Sequence, residues 1–253
     1  MVISDESFQL GKYETILSMK QVDLQISEES KRRRPFLAIG TATLRGEDAG
    51  TKGNIYIFDI AQVVPQPSRP WTNRKLRLAW SEEVRGAVTV INELRGYLLS
   101  SQGQKVMVRA FGEVDKEFLP VAFYDLSMVV TVAQSIRDFV LFGDIMHSIC
   151  FIGFQEEPYR MTLLGKDYEK MEVRCGDFVI EGDGLFFAVA DGQENIHIFQ
   201  YDPESIFETG DGVNGRSAIV IGESTYSTGR FSCWTCFNED LEDEEDESSG
   251  VES

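Results

Sequence analysis

Phe139-Val140-Leu141-Phe142-Gly143-Asp144-Ile145-Met146-His147-Ser148-Ile149-Cys150 reads as two apolar strands that meet at a tight Gly/Asp turn. The same plan recurs in Tyr97-Leu98-Leu99-Ser100-Ser101-Gln102-Gly103-Gln104-Lys105-Val106-Met107-Val108 and in Phe186-Phe187-Ala188-Val189-Ala190-Asp191-Gly192-Gln193-Glu194-Asn195-Ile196-His197-Ile198. The aromatic anchors Tyr97, Phe139 and Phe186 are spaced by about 42 to 47 residues, close to the period of a four-stranded propeller blade. A repeat array of this kind builds a scaffold or a docking surface, and its residues need carry no chemistry.

Outward from these blocks the pattern stays β. Tyr13 to Ile26 alternates as a half-buried strand, and a charged loop from Ser27 to Arg34 leads to Pro35. Phe36 to Leu44 and Asn54 to Val64 pair as a hairpin around a Gly-rich loop, and Pro65, Pro67 and Pro70 mark a surface connection. Further strands are expected at Lys75 to Trp80, Ala87 to Ile91, Tyr97 to Ser101, Lys105 to Phe111, Val121 to Tyr124 and Met128 to Val132. They continue at Phe139 to Phe142, Ser148 to Phe154, Arg160 to Leu164, Val173 to Glu181, Leu185 to Ala190 and Asn195 to Tyr201. Glu204 to Asn214 reads as a polar loop before a last apolar run, Ser217 to Ile221. No stretch sustains a helical period. The expectation is an all-β, incomplete β-propeller of about four to five blades over residues 1–229.

From residue 230 to 253 the composition changes to an acidic tail, expected to be disordered and solvated. Residues 231–253 carry nine Asp or Glu and no Lys or Arg, half of the net charge of -18. An acidic surface repels phosphate, so nucleic-acid contact is expected to be local or made through a partner. Cys150, Cys175, Cys233 and Cys236 are too few and too unevenly placed for a secreted disulfide framework. With no signal-peptide pattern, no long uncharged span and no Asn-X-Ser/Thr sequon, an intracellular, soluble protein is expected.

Four motifs invite chemistry. The loop Gly46 to Gly53 fails the phosphate-loop spacing because Thr51 stands where a glycine is needed, so it reads as a turn. The two histidines, His147 and His197, each follow a strand turn in their own block; with no nucleophile in register they read as structural. Cys233-Trp234-Thr235-Cys236 could be half of a zinc site, yet Cys150 and Cys175 belong to other blocks. The one basic cluster, Lys31, Arg32, Arg33 and Arg34, could be a nuclear-import signal or a phosphate contact, its alternative being a solvated loop. No catalytic residue, metal or cofactor is expected.

Phe36-Leu37-Ala38-Ile39-Gly40-Thr41, Gly46-Glu47-Asp48, Gly53-Asn54-Ile55-Tyr56-Ile57-Phe58-Asp59-Ile60 and Val63-Val64-Pro65-Gln66-Pro67 resemble a propeller of the large subunit of the cleavage and polyadenylation specificity factor. The resemblance continues through Gly86-Ala87-Val88-Thr89, Ser101 to Val106, Asp138 to Ile149 and Leu163 to Tyr168, and covers residues 8 to 229. The same propeller type occurs in the large subunit of the damaged-DNA-binding complex, a ubiquitin-ligase adaptor, and in a splicing factor 3b subunit. The segment from Ile57-Phe58-Asp59 through Pro65-Gln66-Pro67, with Lys166-Asp167, points to the polyadenylation branch.

The resemblance implies a noncatalytic nuclear scaffold of pre-mRNA 3′-end processing. It implies partners in a WD-repeat subunit and a CCCH zinc-finger subunit that read the polyadenylation signal, with pre-mRNA reached mainly through them. No membrane or small-molecule partner is implied. The alternative keeps the fold and makes it a ubiquitin-ligase, DNA-damage or spliceosomal adaptor. Family members are several times longer, and the match fades around Tyr226 to Gly229, so a fragment or shortened gene product is expected. Too few blades to close a ring would leave unpaired strand edges.

Overall fold

A β-strand points successive side chains to opposite faces, so a run such as Phe139 to Phe142, apolar at every position, needs cover on both sides. The computed structural model describes residues 8–26, 32–46, 50–64, 74–112, 117–167, 169–202 and 230–236, and supplies that cover by stacking four antiparallel sheets. The first sheet holds β1 (Glu14–Gln25), β2 (Arg33–Thr43), β3 (Lys52–Gln62) and β4 (Arg74–Arg85). The second holds β5 (Ile91–Leu94), β6 (Tyr97–Gln102), β7 (Lys105–Gly112) and β8 (Glu117–Asp125). The third holds β9 (Val130–Ile136), β10 (Phe139–Asp144), β11 (Ile149–Glu156) and β12 (Tyr159–Lys166). The fourth holds β13 (Val173–Glu181), β14 (Gly184–Asp191), β15 (Ile196–Asp202) and β16 (Arg230–Cys236). In every sheet, sequence neighbours are spatial neighbours, which is the meander of a propeller blade. The fold is an all-β partial propeller, with four blades and no helix among the described residues.

Three cores separate the four blades. Val22, Leu24, Phe36, Ile55, Ile57 and Leu98 fill the first gap. Leu99, Val108, Val140, Phe142, Ile152 and Phe154 fill the second. Leu141, Phe151, Val173, Phe187, Val189 and Phe199 fill the third. Leu98 and Leu99 are adjacent in β6 yet belong to different cores, as are Val140 and Leu141 in β10. The period of two persists there as a choice between cores, not between core and water.

The inner strands run side by side around the axis, β1 against β5, β5 against β9 and β9 against β13. Each is joined to the second strand of its blade at one end of the array. Leu94 pairs Tyr97, Ile136 pairs Phe139, and Glu181 pairs Gly184 across two-residue turns. Arg95, Arg137 and Gly182 open these turns at φ 57°, 50° and 57°, the left-handed conformation that matches the twist of a two-residue hairpin. This register makes Tyr97 and Phe139 equivalent, whereas the equivalent of both in the fourth blade is Gly184, two residues before the expected anchor Phe186.

Three expectations shift. The charged loop ends earlier, because Arg33, Arg34 and Pro35 already pair with β1; Pro35 has no β3 partner, so its missing N–H breaks no ladder. Ala87 to Val90 form no strand, and the inner strand begins at Ile91. The outer strand of the fourth blade, Arg230–Cys236, lies within the stretch that composition assigned to the tail, and it pairs with β15 from Asp202↔Arg230 to Ile196↔Cys236. Its sequence carries no acid; the acidic run starts only at Glu239. Residues 237–253, the remainder of the expected disordered tail, lie outside the described residues, as do Glu204 to Asn214 and Ser217 to Ile221.

Candidate functional site

The wall of the axial channel is held by polar side chains that reach from one inner strand to the next. Asn92 Nδ2 of β5 donates to the Ala133 carbonyl of β9 at 2.8 Å, and Ser135 Oγ of β9 donates back to the Glu93 carbonyl. Glu93 Oε2 accepts from the Asp23 N–H of β1 at 3.0 Å, and Gln25 N–H donates to the Gly96 carbonyl at 2.8 Å. Exposed edges of inner strands are thereby capped without further strands.

At the end of the channel that carries the β1–β2, β5–β6 and β9–β10 turns lies a cleft of 620 Å³. Lys20, Arg33, Arg95 and Arg137 line it together with Glu93 and Asp138. Arg33 pairs with Glu93 at 2.9 Å, and Arg95 pairs with Asp138 at 2.6 Å and with Glu156 of β11 at 3.0 Å. Lys20 and Arg137 have no ion-pair partner in contact among the described residues. Burial pulls the Lys20 ammonium below its usual range, with Asp177 of β13 and Glu93 opposing at longer reach.

A second cleft, of 520 Å³, opens beside the first and shares Arg95 and Asp138 with it. Phe139, Phe151, Leu164, Leu185 and Tyr201 make its walls between the third and fourth blades, with Gly153 among them. Phe139 is 38% exposed, although its ring packs on Phe151 at 5.5 Å. The two clefts form one continuous surface, cationic at the axis and aromatic toward the rim.

The basic cluster read from the sequence reaches this same end. Lys31 lies outside the described residues, and Arg32 is exposed. Arg33 is taken up by Glu93. Arg34 and Arg77 converge on the buried Asp59 at 2.6 and 2.8 Å. Half of the cluster therefore serves ion pairs within the first two blades. Arg95 and Arg137 were not read as site residues; the available signal is an Arg at the same turn position of two successive blades.

His147 and His197 do occupy matching hairpins. His197 Nε2 bonds Asp191 Oδ2 at 2.9 Å, and Asp191 also accepts from the N–H groups of Gln193 and Asn195. Asp144 accepts from the Met146 and His147 N–H groups in the same way, with His147 Nδ1 at 3.8 Å. His197 thus serves turn structure through its ring, and His147 through its backbone N–H. Cys150 is buried in the second core and its thiol is pushed up to about 12 by burial, while Cys175 is exposed on β13. No group of three or more metal-ligating side chains occurs among the described residues.

The profile of a family described as the CPSF A subunit region matches residues 2–243. Protein cft1 of Schizosaccharomyces pombe is 44% identical over 200 residues, covering 79% of this chain and 14% of the relative. Protein CFT1 of Coccidioides immitis is 40% identical over 231 residues, 90% of this chain and 16% of the relative. Protein CFT1 of Yarrowia lipolytica is 37% identical over 238 residues, 89% of this chain and 19% of the relative. The chain spans less than a fifth of the length of these relatives.

Proposed function

The chain belongs to the CPSF A subunit family, and from that premise we propose that it acts as a docking scaffold in pre-mRNA 3′-end cleavage and polyadenylation. The observation that carries the reading is the family match across all four blades, joined to relatives at 37% to 44% identity. The role is noncatalytic on this reading, because the His197 ring holds a hairpin aspartate and the buried polar residues tie blades together. Docking uses the blade ends and clefts, where a partner segment is buried against rigid strands. The partners it would hold are a WD-repeat subunit and a CCCH zinc-finger subunit, which reach the pre-mRNA. The place of action is the nucleus, with Lys31 to Arg34 as the import element. Co-expression of the tagged chain with those two subunits tests the reading. Their joint recovery through the tag supports it, and a folded chain that recovers neither removes it.

A further inference from the structure

The axial cleft contains four cations against two carboxylates, a surplus of two positive charges on a chain whose net charge is -18. Arg33 and Arg95 are already paired, which leaves Lys20 and Arg137 without an ion-pair partner in contact among the described residues, with Asp177 and Glu93 acting on Lys20 at longer reach. Immediately beside it, the aromatic cleft leaves Phe139 partly open to water over Phe151. An open cation pair and an open apolar slot on one rigid surface are complementary to a ligand that carries both features in reverse.

We propose that this surface binds an extended, acidic segment of a protein partner, with one bulky apolar side chain seated between the third and fourth blades and its carboxylates on Lys20 and Arg137. Arg137, with no carboxylate in contact among the described residues, and Lys20, opposed only at longer reach, match one or two carboxylates. A single-stranded RNA needs cations repeated along its backbone, and it must approach against the negative field of the whole chain. A peptide with few charges meets far less of that repulsion and gains from the local pair. Arg137 presents a planar fork suited to a bidentate carboxylate contact. The apolar anchor supplies affinity, while the charges set the direction in which the segment lies.

The inference rests on the docking reading but can fail separately from it. Co-expression tests membership of the assembly, whereas panning needs no cellular partner. A random peptide library displayed on phage is panned against the intact 253-residue chain, and recovered peptides are remade with a fluorescent label. The expected peptides pair Asp or Glu with a bulky apolar residue. Arg137→Glu weakens their binding by about tenfold with the thermal melt unchanged, and Phe139→Ala weakens it by about tenfold in a chain that still melts cooperatively. Peptides with Lys in place of Glu regain binding to Arg137→Glu. Recovery of no peptide, of peptides without acids, or of binding indifferent to both substitutions overturns the proposal. So does a labelled oligouridylate that binds more tightly than any peptide and is lost on Arg137→Glu, which makes the surface an RNA-phosphate site.

Discussion

Thr131 Oγ1 donates to the Val173 carbonyl at 2.7 Å and so ties the third blade to the fourth. One repeat earlier, Thr89 Oγ1 reaches the Val130 carbonyl at 2.6 Å, from the second blade to the third. Ser18 Oγ reaches the Val88 carbonyl at 3.1 Å between the first and second. Each hydroxyl reaches a carbonyl of the next blade's inner strand or of the linker that leads into it. Thr131→Val keeps the shape and removes the donor, so it is expected to lower stability by about 1 kcal/mol in chemical denaturation. An unchanged midpoint counts against the tie.

The same Val173 packs over Gly143, where an added Cβ would overlap Val173 Cγ1. Gly143→Ala is therefore expected to cost about 1–3 kcal/mol through overpacking. The double variant Gly143→Ala with Val173→Ala should recover part of that loss; strict additivity in the cycle would show that the two sites do not meet.

Leu141→Ala opens the third core and should cost about 2–5 kcal/mol, because Leu141 is fully buried among Phe151, Val173 and Phe187. A calorimetric melt reads it directly, and a change below about 1 kcal/mol would place Leu141 outside a packed core.

Burial would raise the Asp191 carboxyl, but hydrogen bonds from His197, Asn195 and Gln193 overcome it and hold the group well below the usual carboxylate range. A depressed folded pKa gives stability that is present above the unfolded value, about 4, and is lost as pH falls below it. The melting temperature is expected to fall from pH 5 to pH 2 more steeply in the native chain than in Asp191→Asn. Parallel acid profiles would contradict the assignment.

Apolar side chains remain open on the end blades: Met19 is 64% exposed on the first, and Ile180 and Ile196 are 61% and 55% exposed on the fourth. Exposed apolar side chains on the end blades favour association. Light scattering of the isolated chain should show mass rising with concentration. A monodisperse monomer with a sharp thermal transition would argue otherwise.

The legible parts of the fold are those where burial writes itself into composition. Tyr97 to Leu99 and Val140 to Phe142 are apolar throughout because two cores claim alternate residues, and the strands that hold them are found where the sequence puts them. Val88 and Val90 are equally buried, yet they belong to a linker wedged between blades; burial alone does not distinguish a ladder from a wedge. The second half of β4, Ser81-Glu82-Glu83-Val84-Arg85, is polar because an outer strand faces water, so hydropathy misses it. Its Glu82 nevertheless reaches across to the buried Arg109 of β7 at 3.2 Å. The cationic cleft is assembled from β1, β2, β5, β9 and their turns, and only the packing of successive blades brings Lys20 and Arg137 to one place.

Affinity purification of the tagged chain from nuclear extract, with mass spectrometry of what copurifies and a melt to confirm folding, tests the scaffold role most directly. The predicted result is recovery of cleavage and polyadenylation subunits, lost when the chain is unfolded. A folded chain that instead brings down cullin-ligase or splicing subunits, or no processing subunit at all, would contradict it.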